Sequence, residues 1–147
     1  FEELSKGILT PEGVNERTLS LLKNEFLSDE DIRKLNSIVL TDFQSLKING
    51  HLNNIILPRG NSFAELPFIL QKGTTVFRGR IDRVIIEDNV AVIYDYKTFP
   101  VKDEDMPLLS EKYRFQMDIY KEAVSKILSM KTKAYLLFTH RGLLAEV

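Results

Sequence analysis

Residues 76–87 and 90–98 are two runs rich in β-branched and aromatic side chains, separated only by Asp88-Asn89. The pattern predicts two strands joined by a tight two-residue turn. Around this pair the rest of the chain reads in order. Residues 1–13 hold Gly7, Pro11 and Gly13 and read as loop. Residues 17–26 carry Leu19, Leu22 and Phe26 at helical spacing, with Asn15 as a cap candidate. Ser28 and the acids Asp29, Glu30 and Asp31 open a second helix. Its apolar stripe runs Ile32, Leu35, Val39, Phe43, Leu46, and Asn49-Gly50 ends it. Residues 50–61 read as connector, and 63–71 as a strand that Pro67 marks as an edge or bulge. After an acidic loop at 100–107, a long helix is predicted over 110–130 with the stripe Tyr113, Met117, Tyr120, Val124, Ile127. Residues 134–139 and 143–147 are the last strand candidates. The expected fold class is α/β, a mixed β-sheet of four to five strands flanked by helices.

The 147 residues suit one domain, with 44% apolar and 28% charged side chains. A formal net charge of −1 rules out a global attraction to polyanions, so any such contact has to be a local patch. The absence of Cys excludes disulfides, thiolate-zinc centres and thiol nucleophiles, and agrees with a reducing, cytoplasmic setting. No apolar run approaches the roughly 20 residues of a membrane span, so no membrane partner is expected. The chain opens on Phe1, which reads as the start of a fragment of a longer polypeptide.

The strand pair carries charges that a sheet core does not need. Asp95 and Lys97 fall on one face of their strand, with Tyr94 and Tyr96 on the other. Strict alternation places Asp82 on a face with Arg78 and Arg80. A turn at Asp88-Asn89 pairs 87 with 90, and hence 82 with 95, as cross-strand neighbours. Two adjacent carboxylates repel unless compensated. One reading is a divalent cation with oxygen-only ligands, Mg²⁺ or Mn²⁺, with Lys97 orienting water or offsetting charge. The other is a set of ordinary ion pairs, Asp82 with Arg80 or Arg83 and Asp95 with Lys97. Spacing alone leaves both open.

Four motifs then occur in order: Glu65 in Ala64-Glu65-Leu66-Pro67-Phe68, Gly79-Arg80-Ile81-Asp82, Asp95-Tyr96-Lys97, and Gln116 with Tyr120 on the next helix. Together they resemble the RecB-family branch of the PD-(D/E)xK nucleases, found at the C-terminus of AddA/RecB-type helicase-nucleases of the UvrD/Rep-like helicase family. The resemblance covers roughly residues 62–140. It implies a restriction-endonuclease-like fold, with a nuclease core over 62–147 and a helical segment over 1–61 packed on it. It implies Asp82 and Asp95 as ligands of Mg²⁺ or Mn²⁺, the Tyr96 carbonyl as a further ligand, and Lys97 as the catalytic lysine. Glu65, Gln116 and Tyr120 would support the site or touch DNA. Apart from the resemblance, Arg78, Arg80 and Arg83, with Lys72, form the densest basic stretch, which reads equally as a phosphate contact or a solvated face. The implied reaction is Mg²⁺-dependent exonucleolytic hydrolysis of DNA in double-strand-end processing and recombinational repair. Implied partners are DNA, the helicase domains of the same full-length chain and a second helicase-nuclease subunit. ATP would serve only the helicase portion, since this chain has no P-loop.

One departure stands out. The family's sites usually include a metal-ligating histidine on an early helix. Here His51 lies in the connector and His140 ends a late strand, and neither fits. The expectation is that the missing helix lies upstream of Phe1. The rival reading is a non-catalytic DNA-binding or scaffolding module of the same fold.

Overall fold

The computed structural model describes all residues, 1–147. Its centre is a five-stranded sheet in the order β1 (Ser62–Lys72), β2 (Thr75–Glu87), β3 (Val90–Lys97), β4 (Lys131–Phe138), β5 (Leu143–Glu146). The β3–β4 pair is parallel and the other three pairs are antiparallel. The sheet is therefore mixed, as expected. The expected turn is also there: Asp88 and Asn89 both take positive φ, 48° and 61°, which a tight two-residue hairpin turn requires. Glu87 pairs with Val90 across it.

A helix layer covers each face. The crossover from β3 to β4 runs through α4 (Met106–Leu128), whose stripe of Met117, Ile119, Ala123 and Val124 packs on Ile81, Val84, Ile93, Leu136 and Phe138. Parallel neighbours need such a crossover, and here it closes the main core. On the opposite face lie α1 (Glu2–Ser5), α2 (Val14–Lys23) and α3 (Asp29–Ile48). There Leu4, Phe43, Leu46, Ile55 and Ile56 pack with Leu137 and the rings of Tyr94 and Tyr96.

Several boundaries differ from the sequence reading. Residues 1–13 are not plain loop: they hold α1 and a 3₁₀ turn over Pro11–Gly13. The first predicted helix ends at Lys23, and Phe26 stands fully in solvent. Of the α3 stripe only Phe43 and Leu46 are buried, and Leu35 is exposed. The 50–61 connector contains a π-helical turn, Leu52–Ile56, that buries three aliphatic side chains. Helix α4 starts at Met106, with Pro107 in its first turn, where a missing N–H costs nothing.

Candidate active site

The carboxylates meet where both ladders of β2 are interrupted. Ala64 pairs with Arg83 and Leu66 with Ile81, but Glu65 and Asp82 between them do not pair. Glu65 has φ 54°, unfavourable for a side chain with a Cβ. On the other side, β2–β3 pairing stops at Arg83 and Tyr94. The expected 82–95 pair is thus replaced: the Tyr96 N–H donates to the Asp82 carboxylate at 2.7 Å. Strict alternation also fails here. Ile81 and Val84 both enter the core under α4, while Arg83 points to the opposite layer. The break falls between Ile81 and Arg83, so alternation alone no longer fixes the face of Asp82. Arg78 and Arg80 stand in solvent, and Asp82 is half-buried.

Asp95 is 3% exposed. Lys97 Nζ lies 2.5 Å from Asp95 Oδ2 and 3.9 Å from the centre of the Tyr113 ring. That ammonium is the charge partner of a buried oxygen that has no other polar partner. Gln116 Nε2 donates to Asp95 Oδ1 at 3.2 Å and to the Tyr120 hydroxyl at 2.7 Å. One helical turn separates Gln116 from Tyr120, which puts both on the sheet side of α4. Helical spacing marks Tyr113 only as core. In the fold it is also the ring beneath Lys97.

Burial raises the Asp82 carboxyl to about 6 against the Tyr96 hydrogen bond, and the charges of Asp95 and Glu65 push it further. Burial also raises Asp95, with Lys97 opposing. The same three carboxylates raise the Tyr120 hydroxyl, after burial and against its Gln116 bond. So Asp82 feels the charges of both Asp95 and Glu65, although Glu65 is drawn towards Arg80, 3.7 Å away. As the side chains stand, no three His, Asp or Glu groups form a metal-holding set. The donor chemistry nevertheless fits a hard divalent cation: neighbouring carboxylates, one buried with only an ammonium and an amide against it and one resisting its own charge.

The remaining expectations resolve individually. The ion pair of Asp95 with Lys97 is present, but Asp82 has no arginine partner. Arg83, which sequence alone groups with an exposed basic stretch, is 1% exposed, its guanidinium donating to the carbonyls of Ile55, Ser5 and Leu57. Neither histidine joins the carboxylates: His51 Nε2 lies 3.0 Å from the Gly142 carbonyl, and His140 Nδ1 3.0 Å from Asp42. Asp42 has no signal in the sequence beyond a polar position within an apolar helix stripe. It is buried and also accepts from the Thr139 hydroxyl.

A sequence model of the PD-(D/E)XK nuclease superfamily matches residues 12–144. The chain belongs to this superfamily. Two similar proteins are both named for an ATP-dependent helicase/nuclease. The one from Clostridium perfringens (strain SM101 / Type A) is 26% identical over 140 residues, 84% of this chain and 11% of that one. The one from Staphylococcus aureus (strain JH9) is 30% identical over 115 residues, 66% of this chain and 9% of that one. The chain thus spans about a tenth of the length of these relatives. The resemblance to the RecB-type nuclease domain stands, as does the mixed sheet flanked by helices. The crystal structure of SSO0001 aligns with 95% of this chain and 77% of its own at 15% identity, with a TM-score of 0.38, too low to carry an argument. No helix is long and apolar enough to cross a membrane.

Proposed function

We propose that this chain hydrolyses DNA phosphodiesters in a metal-dependent reaction, with Asp82, Asp95 and Lys97 as the catalytic group. The observation that carries the proposal is the buried Asp95, in contact with Lys97 and next to an Asp82 whose carboxyl is pushed to about 6. Buried like charges without compensation are costly, and such clusters mark functional sites. Asp82 and Asp95, with the Tyr96 carbonyl, would hold Mg²⁺ or Mn²⁺, which supplies Lewis acidity and a more acidic bound water. Gln116 holds Asp95 through Oδ1, and Tyr120 holds Gln116. Lys97 brings an ammonium with three N–H donors to offset the charge that builds on the phosphoryl oxygens. Glu65 adds a carboxylate beside Asp82, and Arg78 and Arg80 offer exposed cations to phosphates.

The same reading takes residues 62–147 as the nuclease core and 1–61 as its helical cover. It takes the full-length protein as a cytoplasmic ATP-dependent helicase-nuclease whose task is exonucleolytic end processing in repair and recombination. The partners of the nuclease core would then be helicase domains of the same chain and a second polypeptide of the helicase-nuclease. The names of the relatives support this role. The rival, a non-catalytic DNA-holding module, draws support from the lack of a third acidic or imidazole group in ligand position. The test is cleavage of end-labelled linear DNA with Mg²⁺ or Mn²⁺. Wild type should cut, and Asp95→Asn and Lys97→Ala should each lose at least about 100-fold. Equal activity in all three would reject the assignment.

A further inference from the structure

A cleft of ≈ 450 Å³ opens on the sheet face away from α4, between α1, the segment before β1, and the edge strand β1 itself. Its polar lining is Ser5, Lys6, Arg59, Ser62 and Arg83. Lys6 pairs with Glu2, and Arg59 Nη1 with Glu87 at 2.7 Å. Arg83 has no acidic partner at all. Its three bonds go to neutral carbonyls, at 2.9 Å to Ile55, 3.2 Å to Ser5 and 2.6 Å to Leu57. Three cations therefore face two acids, and the one without an acid is almost completely buried. Burying a guanidinium without a counter-charge is expensive, and carbonyl dipoles offset only part of that cost. The nearby Arg59 charge adds to it: burial first, then Arg59, lower the Arg83 guanidinium, with Tyr96 opposing. The cleft also adjoins the carboxylate site. Arg83 follows Asp82 in β2, and Leu66, another lining residue, follows Glu65 in β1. Cleft and site lie on opposite faces of the sheet, and because β1 is an edge strand the way between them runs round its free edge.

We propose that this cleft binds a phosphate group through Lys6, Arg59 and the buried charge of Arg83, and that the phosphate belongs to the backbone of the strand engaged by the carboxylate site. The second clause rests on the nuclease reading, and the first does not. Guanidinium forks suit phosphate oxygens. A phosphate held away from the reacting one fixes the register of the strand without reading its sequence.

The test uses Lys6→Gln and Arg59→Gln. Both side chains reach solvent, so the fold should persist, which thermal melts check. Arg83 is left in place, because its removal would free three buried carbonyls. Binding of a fluorescein-labelled single strand is followed by anisotropy in EDTA over a range of salt. Each variant should bind more weakly whatever the sequence, and the slope of log affinity against log salt should fall by about 0.7 per lost contact. Lys133→Gln, at an exposed position of β4, should change neither. Inorganic phosphate titrated by calorimetry separates the sources. Heat in the wild type that Arg59→Gln abolishes, with unchanged strand binding, would keep the phosphate site and overturn its link to DNA. Unchanged strand binding and no such heat would overturn the proposal. If the cleft variants weaken binding but the wild type never cleaves DNA, the cleft stands and the nuclease reading falls.

Discussion

At Asp82 the folding cost and the proposed function meet. Its carboxyl is raised to about 6 from 3.8, chiefly by burial. Below about pH 3 the group is largely protonated in both folded and unfolded chains and costs nothing. As pH rises towards 6, the unfolded chain ionises freely while the folded chain resists. The metal-free protein should therefore lose stability over that window. Asp82→Asn keeps an acceptor for the Tyr96 N–H and removes the charge. It should be more stable than wild type at pH 7.5 by roughly 1–2 kcal/mol after screening by solvent, and level with it below about pH 3. Melts of both proteins across pH check this, and a variant less stable at pH 7.5 would contradict it. Gly79 shows a second residue-scale constraint. A Cβ there would come 3.2 Å from the Phe68 ring, its cross-strand partner. Gly79→Ala should cost about 1 kcal/mol by urea unfolding as the ring is displaced.

At the scale of elements, the strand pair was legible because two runs of alternating residues fixed both the turn and the register near it. The Asp95–Lys97 face followed from the same period. Legibility ended where the period did. Neither the positive φ of Glu65 nor the unpaired step at Asp82 has a local signal, so strict alternation cannot be carried through Asp82. Arg83 reads as one more surface charge in a basic run, and only the tertiary packing of α1 and the turn before β1 buries it. Helix α3 shows the same limit. Its stripe was legible, but not that Asp42 within it fastens the end of β4 through Thr139 and His140. Asp42→Ala would leave the buried Thr139 hydroxyl only a long 3.5 Å contact with the Lys97 carbonyl and should cost about 2 kcal/mol in urea unfolding. A change below about 0.5 kcal/mol would show that this tie adds nothing.

At the scale of the molecule, the mixed sheet sets the site between two layers. The α4 layer holds Asp95 through Gln116. The opposite layer, built from residues before β1, holds Arg83 and the cleft above it. Net charge near zero hides both, since the relevant charges are local. The central claim is that Asp82 and Asp95 form a divalent-metal site, and a Mn²⁺ titration by calorimetry of wild type and Asp95→Asn tests it most directly. The account predicts saturable heat from the wild type and none from the variant. Silence in both, or equal heats, would contradict it.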